Sequence, residues 1–226
     1  MDIPVRPEEP KNPKSTRTTI VLAIVVIVGL VMMFLNVFRT KATEVENHAP
    51  NPSLGAENAA VVIREYSDFQ CPACRVAVPE IESALQKYSD VARLEFNYFP
   101  LRQIHPNSQA AALAAAAAAE QGKFWAFHNL LFEKQEEWSG ELDPVPLFVE
   151  YFKTLEGDPD AFKQAIDDRK YAAAIQDDVD EAAKLDITST PTFFVNDERV
   201  VGARSAADWE VLIQKHLTDK IGPFAR

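Results

Sequence analysis

Cysteine is almost missing from this chain: 226 residues hold only Cys71 and Cys74, separated by Pro72 and Ala73. So few cysteines exclude a small secreted scaffold stapled by several disulfides. A bridge within four residues closes almost no chain and gains little from loop entropy, so the pair points to chemistry rather than stapling. A four-cysteine zinc site is excluded as well, and the four histidines (His48, His105, His128 and His216) include no pair at zinc-ligand spacing. No metal is expected. Seven glycines are few for a sandwich or barrel of many turns, whereas abundant alanine favours helix. Positive charge is also short, with 23 Lys and Arg against 34 Asp and Glu and a net charge of −11. An acidic surface repels phosphates, which argues against a nucleic-acid partner and for a solvated exterior.

At 47% apolar, the chain can bury one full core with room for an inserted subdomain. Thr19 to Phe38 carries no charge. At about 1.5 Å rise per residue, that run is long enough to cross a hydrocarbon core of about 30 Å. Residues 1–39 are net +2, with Arg6, Lys11, Lys14 and Arg17 ahead of the run, so the remainder is net −13. This asymmetry predicts a single-pass anchor in a bacterial cell membrane, with the N-terminus cytoplasmic and the body extracytoplasmic. A cleaved signal peptide competes with that reading, but the run is longer than an h-region and no small-x-small site closes it before Arg39. The expected organisation is a disordered cytoplasmic tail (1–18), the anchor (19–38), a linker (39–57), a folded domain (58–218) and a C-terminal tail (219–226).

Within the body, Ala59 to Tyr66 is a β-branched run of strand length, ending in the polar stretch Ser67-Asp68-Phe69-Gln70 before Cys71. From Pro72, a residue suited to a first helical turn, Val76, Val78, Ile81, Leu85 and Tyr88 fall at helical spacing. Val91 to Phe99 then alternates as a strand, which makes a βαβ unit with Cys71 at its first strand-to-helix corner. A helical block follows over about 106–186. Its alanine-rich first helix runs to Ala119, Gly122 marks a break, and further helices begin near Pro144, Asp158 and Arg169. Strand character returns at Thr192–Val195 and Arg199–Val201, around a turn at Asn196-Asp197. A closing helix covers Ser205 to Leu217, with Ser205 as its N-cap.

A thiolate at a helix N-terminus faces unpaired backbone N–H groups and the positive end of the helix dipole. Cys71 is therefore expected to be the exposed, low-pKa nucleophile, and Cys74, one turn inside, the buried resolving thiol. Glu65, six residues upstream near the end of a buried strand, is expected to have a raised pKa and to move protons to and from Cys74. Its alternative is an acid facing solvent at a strand end. A cis bond at Thr190-Pro191 would bring the Thr190 backbone beside Cys71, ready to pair with an extended peptide. His105 reads as a capping or packing residue and His128 as a core or surface histidine, and both are left out of the site.

Glu65 to Cys74, Phe99 to His105, Gln121-Gly122-Lys123-Phe124-Trp125 and Thr190 to Asn196 together resemble the DsbA-like thioredoxin-fold oxidoreductases, most closely their membrane- or lipid-anchored bacterial branch. The resemblance covers about residues 58–218. It implies an α/β thioredoxin fold with an inserted α-helical subdomain, preceded here by one transmembrane helix. It implies that Cys71 and Cys74 cycle between disulfide and dithiol with no other cofactor, that Pro191 is cis and that Glu65 is the buried acid. Substrate would meet Thr190, Pro72 and Ala73. The implied partners are reduced cysteine-containing extracytoplasmic proteins and a quinone-linked membrane re-oxidase, and the protein is expected to be a monomer. Ala73 departs from the histidine of the best-known oxidases, which removes an imidazolium that helps hold the nucleophile's pKa down. Ser189 replaces a glycine common among relatives, and Asp197-Glu198 is a poorer turn than Asn-Gly. A reductase or isomerase, and a tethered peptide-binding chaperone with idle cysteines, are the competing functions.

Overall fold

The computed structural model describes residues 52–221. The expected anchor at Thr19–Phe38, the tail 1–18 and most of the linker lie outside them. Among the described residues no helix is long and apolar enough to cross a membrane.

The first strand, β1 (Ser53–Gly55), lies within the stretch read as linker. Three residues without alternation carry no strand signature, so sequence pattern could not reveal it. It pairs antiparallel with β3 (Ala92–Tyr98), Leu54 facing Leu94. Gly55, at φ +113°, is required there, since a β-carbon would come within 2.3 Å of the Ala92 carbonyl oxygen. Trp125 Nε1 donates to the Ser53 carbonyl at 2.9 Å and ties β1 down from the other side.

The βαβ unit is as expected. Parallel strands β2 (Val61–Ser67) and β3 are joined through helix α1 (Pro72–Lys87), with Val61 opposite Ala92 and Ser67 opposite Tyr98. Along α1, Val78, Ile81 and Leu85 are buried, but Val76 is 61% exposed. Two residues ahead of Val78, it falls on the opposite face of the helix. After the inserted helices the chain returns as β4 (Thr192–Val195), antiparallel to β2, and β5 (Glu198–Val201), giving the order β1-β3-β2-β4-β5. Asn196 takes the left-handed position of the β4–β5 turn (φ 51°) and accepts the Val62 N–H on its Oδ1 at 3.0 Å. Asparagine tolerates that region, which is how the turn forms without glycine. The closing helix, α8 (Ala206–Ile221), is longer than expected and takes in the start of the stretch read as a tail. Ser205 Oγ accepts the Asp208 N–H at its start.

Between β3 and β4 the described chain forms six helices: α2 (Ser108–Glu120), α3 (Phe124–Glu133), α4 (Gln135–Trp138), α5 (Val145–Lys153), α6 (Pro159–Asp167) and α7 (Ala172–Lys184). Every residue of α2 from Ala111 to Ala118 is buried. A helix buried on all sides must be apolar all round, and alanine lets its neighbours approach closely. Around it pack aromatic rings, including Phe152 stacked on Phe162 at 4.1 Å and Phe127 edge-on to Phe162 at 5.2 Å. Such pairs are worth about 1 kcal/mol each beyond their buried area. Asp158 caps α6 by accepting the Asp160 and Ala161 N–H groups, as its place before Pro159 predicts. Four-residue α4 is too short to leave a periodic signal and was not expected from the sequence.

The sheet separates two apolar layers. On one face Ile63, Leu94, Phe193 and Val195 meet Ile81 of α1 and Trp209 and Ile213 of α8. On the other, Tyr66 and Phe194 pack with Ala182 and Ile187 at the end of α7. Because side chains alternate along a strand, Glu65 and Ser67 follow Ile63 onto the first face, beneath α1. His128 of α3 is buried among Phe69, Phe96, Phe124, Trp125 and Phe132, with its Nδ1 2.7 Å from Asn129 Oδ1. Burial pushes its pKa down to about 4, so it is a neutral core residue.

Candidate active site

Cys71 is the N-cap of α1, in extended backbone conformation (φ −74°, ψ 121°), and Pro72 opens the first turn. This leaves the amides of Ala73 and Cys74 aimed back at the Cys71 sulfur. Both cysteines are free thiols in this structure; Cys74 is fully buried as expected, but Cys71, expected to be exposed, is only 7% exposed, with Thr190 lying against its sulfur. The two differ sharply in acidity. The Cys74 thiol hydrogen-bonds the Cys71 sulfur and is the largest influence holding it down to about 5; burial opposes this, and the Thr190 side chain and the two amides reinforce it. Burial pushes Cys74 well above the ordinary thiol range. The first deprotonation belongs to the pair, and the geometry assigns its negative charge to Cys71.

Thr190-Pro191 is cis, and the Thr190 carbonyl oxygen lies 3.5 Å from Cys71 Sγ. That contact is a hydrogen bond only while Cys71 is protonated, because a thiolate has nothing to donate. The Ser189 carbonyl accepts the Thr192 hydroxyl at 2.7 Å at the start of β4, a bond to the main chain that glycine would make equally. Pro72 and Ala73 form the first turn beside Cys71, with Ala73 exposed.

Glu65 is 1% exposed. Desolvation raises its pKa to about 7, with the neighbouring charge of Glu82 adding to the rise and Ser67 opposing it. The solvent-facing alternative is ruled out. Ser67 is equally buried, and its hydroxyl lies close enough to lower both Glu65 and Cys74. Neither Glu65 Oε1 nor Ser67 Oγ meets full hydrogen-bond geometry with any described group. A carboxyl held partly protonated on the buried thiol's face can take or give a proton near neutral pH.

The sign of the Glu65 shift carries a stability prediction. Its folded pKa lies above the unfolded carboxylate value. Burial is therefore tolerated fully below the ordinary carboxylate range, and stability falls as pH rises through about 7. The loss at alkaline pH is about 3 kcal/mol. Glu65→Gln is expected to remove it, with urea denaturation showing an advantage over the wild type that grows between about pH 5 and about pH 8.5.

Sequence reasoning missed the polar groups that hold the cysteine corner. Asp68, fully buried, accepts the Gln70 N–H on Oδ1 at 2.8 Å and the Leu101 N–H on Oδ2 at 2.9 Å, with His105 Nδ1 2.7 Å from Oδ2. Gln70 Oε1 accepts the Asn107 N–H at 2.7 Å, and its Nε2 donates to Ser139 O at 2.9 Å. From α4, Gln135 Nε2 donates to the carbonyls of Phe69 at 2.7 Å and Cys71 at 3.0 Å. Only the polar run Ser67-Asp68-Phe69-Gln70 hinted at this, since partners more than 30 residues away leave no periodic trace.

The Thioredoxin family matches residues 47–215. Disulfide bond formation protein D of Bacillus subtilis is 30% identical over 173 residues, which cover 75% of this chain and 78% of that protein. The crystal structure of oxidised BdbD from Bacillus subtilis superposes with a TM-score of 0.65 at 28% identity, covering 76% of this chain and 94% of that one. Na(+)/H(+) antiporter NhaA 3 of Salinispora tropica is 43% identical over 145 residues, 64% of this chain. Those residues make up 21% of that protein, so this chain matches about a fifth of the antiporter's length. A family match over most of the described fold, joined by a relative aligned across most of its own length, means that the chain belongs to the thioredoxin family, on its branch of DsbA-like thiol:disulfide oxidoreductases.

Proposed function

We propose that this protein is a membrane-tethered oxidase that donates the Cys71–Cys74 disulfide to reduced cysteine-containing proteins on the extracytoplasmic side. The observation that carries this reading is the asymmetry of the pair, one stabilised thiolate over one buried thiol. A substrate thiolate attacks Cys71 Sγ, the Cys71–Cys74 bond breaks, and the electron pair leaves on Cys74. A buried Cys74 thiolate is costly, so it takes a proton from Glu65. A second substrate thiolate then attacks the substrate sulfur of the mixed disulfide and Cys71 departs as a thiolate, a good leaving group at its depressed pKa. Two electrons have passed from the substrate dithiol to the cysteine pair. A quinone-linked membrane partner would take up those two electrons and return the cysteine pair to the disulfide. The Thr190 carbonyl, freed from Cys71 once that sulfur is bonded, offers an acceptor to the extended substrate backbone.

A Cys71 pKa of about 5 supports the oxidising direction, since it falls between roughly 7 for thioredoxin and roughly 3.5 for DsbA. The missing imidazolium at Ala73 is offset in part by Cys74, the Thr190 side chain and the helix amides. The uncharged run at 19–38 and the Lys/Arg bias before it support the tether and its orientation. The test is a redox titration of the full chain against glutathione, paired with refolding of a reduced substrate protein. An oxidase should lie well above thioredoxin; a potential near about −270 mV would assign the reducing direction instead. In the same assay, Glu65→Gln should slow substrate oxidation about tenfold to a hundredfold near neutral pH.

A further inference from the structure

We propose that Asp68 and His105 form a clamp that seats the Cys71–Cys74 corner and sets its redox balance, His105 acting as a positioning residue through Asp68. The inference rests on reading Cys71 as the exchanging thiol.

Asp68 is central because its side chain and its main chain serve different parts of the site. The carboxylate is fully buried and holds three donors: the amides of Gln70 and Leu101 and the ring nitrogen of His105. Its own main chain meets both cysteines. The Asp68 carbonyl accepts the Cys71 N–H at 3.0 Å, and its amide lies against the Cys74 sulfur. Any movement of Asp68 therefore moves the contacts of both sulfurs together.

His105 supplies the fixed end. Its N–H bonds the Leu101 carbonyl at 2.9 Å, and its carbonyl receives the Ser108 hydroxyl at 2.7 Å and the Ser108 N–H at 3.2 Å at the start of α2. The ring is thus anchored to the buried alanine helix and reaches across 37 residues of sequence to the cysteine loop. The His105 side chain is 16% exposed, so water can partly replace its ring, whereas the carboxylate it meets has no exposure at all. Removing the ring leaves a buried carboxylate short of a donor, and that carboxylate is built into the loop carrying the nucleophile. The loop relaxes to re-solvate it, and the amides of Ala73 and Cys74 lose their aim at Cys71.

The experiment uses the full-length chain with His105→Phe, which keeps a ring and removes the donor, and His105→Asn, whose Nδ2 can donate from about the place of Nδ1. Thiolate absorbance against pH and equilibration with glutathione are read for each, beside the wild type and Asp68→Asn. His105→Phe is expected to raise the Cys71 midpoint by about one pH unit and shift the equilibrium about tenfold toward the disulfide. His105→Asn should return both to within about twofold of the wild type. A folded His105→Phe protein with an unchanged midpoint and equilibrium, even one with a lowered melting temperature, overturns the proposal, because a purely structural role predicts that pattern. An inactive wild type overturns the reading of Cys71 itself, a different failure. Asp68→Asn puts an amide donor where three donors converge; if it folds, it should shift the equilibrium at least as far as His105→Phe, and no shift would also overturn the clamp.

Discussion

Cys71→Ser is expected to bring disulfide exchange down to the uncatalysed background, whereas Cys74→Ser should stall as a mixed disulfide with substrate, visible by mass spectrometry. A serine hydroxyl is not ionised near neutral pH and cannot form the disulfide, so the first substitution removes nucleophile and electrophile at once. The second leaves attack intact and removes resolution. A finer expectation concerns the donor that Cys74 offers. Hydrogen bonding from its thiol is the largest influence lowering Cys71, so Cys74→Ala should return the Cys71 midpoint toward the ordinary thiol range further than Cys74→Ser, which keeps a hydroxyl. A tethered chaperone with idle cysteines predicts the opposite pattern, full activity in Cys71→Ser, and that single result would reject the exchange mechanism.

The second large effect is a crossing of stabilities with pH. Cys71 has a folded pKa below its unfolded value, so its contribution to the reduced protein is fully present above the ordinary thiol range. It declines as pH falls and is gone below about 5. Near pH 7 it amounts to about 3 kcal/mol. The competing disulfide closes a four-residue loop and stabilises the oxidised protein by about 2 kcal/mol on the chain-entropy model. The reduced form should therefore be the more stable one near pH 8 and the oxidised form near pH 5, with the curves crossing at about pH 6.5. Urea melts of both redox states across this range decide it. Parallel curves would mean that Cys71 is not a stabilised thiolate, and a disulfide more stable at every pH would remove the physical basis for an oxidant.

These effects trace to residues that the sequence exposes readily, because their causes are local. Cys71 at a strand-to-helix corner follows from a β-branched run, then a proline, then apolar residues at helical spacing. Glu65 is legible because it lies near the end of a strand that is apolar through Ile63. What stays hidden is set by distance along the chain. Asp68 meets Leu101 and His105, Gln70 meets Asn107 and Ser139, and Gln135 reaches back to Phe69 and Cys71. Single hydrogen bonds between loops have no period, so His105 read as a capping residue when half of its role is to hold Asp68. β1 escaped for a related reason: three residues are held by partner strand and Trp125 rather than by their own preference.

The sheet's two outer strands have a bearing on how such a protein survives its work. β1 offers three residues and β5 four, and β5 carries Glu198 and Arg199, with Glu198 engaged by Lys215 and His216. Long, flat, apolar strand borders recruit unfolded chains into β-pairing and coaggregation. A protein that meets unfolded polypeptides as its proposed substrates is exposed to that hazard in every encounter. Short borders, one of them charged, leave a client little to zip onto, which favours contact at the cysteine corner over pairing at the sheet margins.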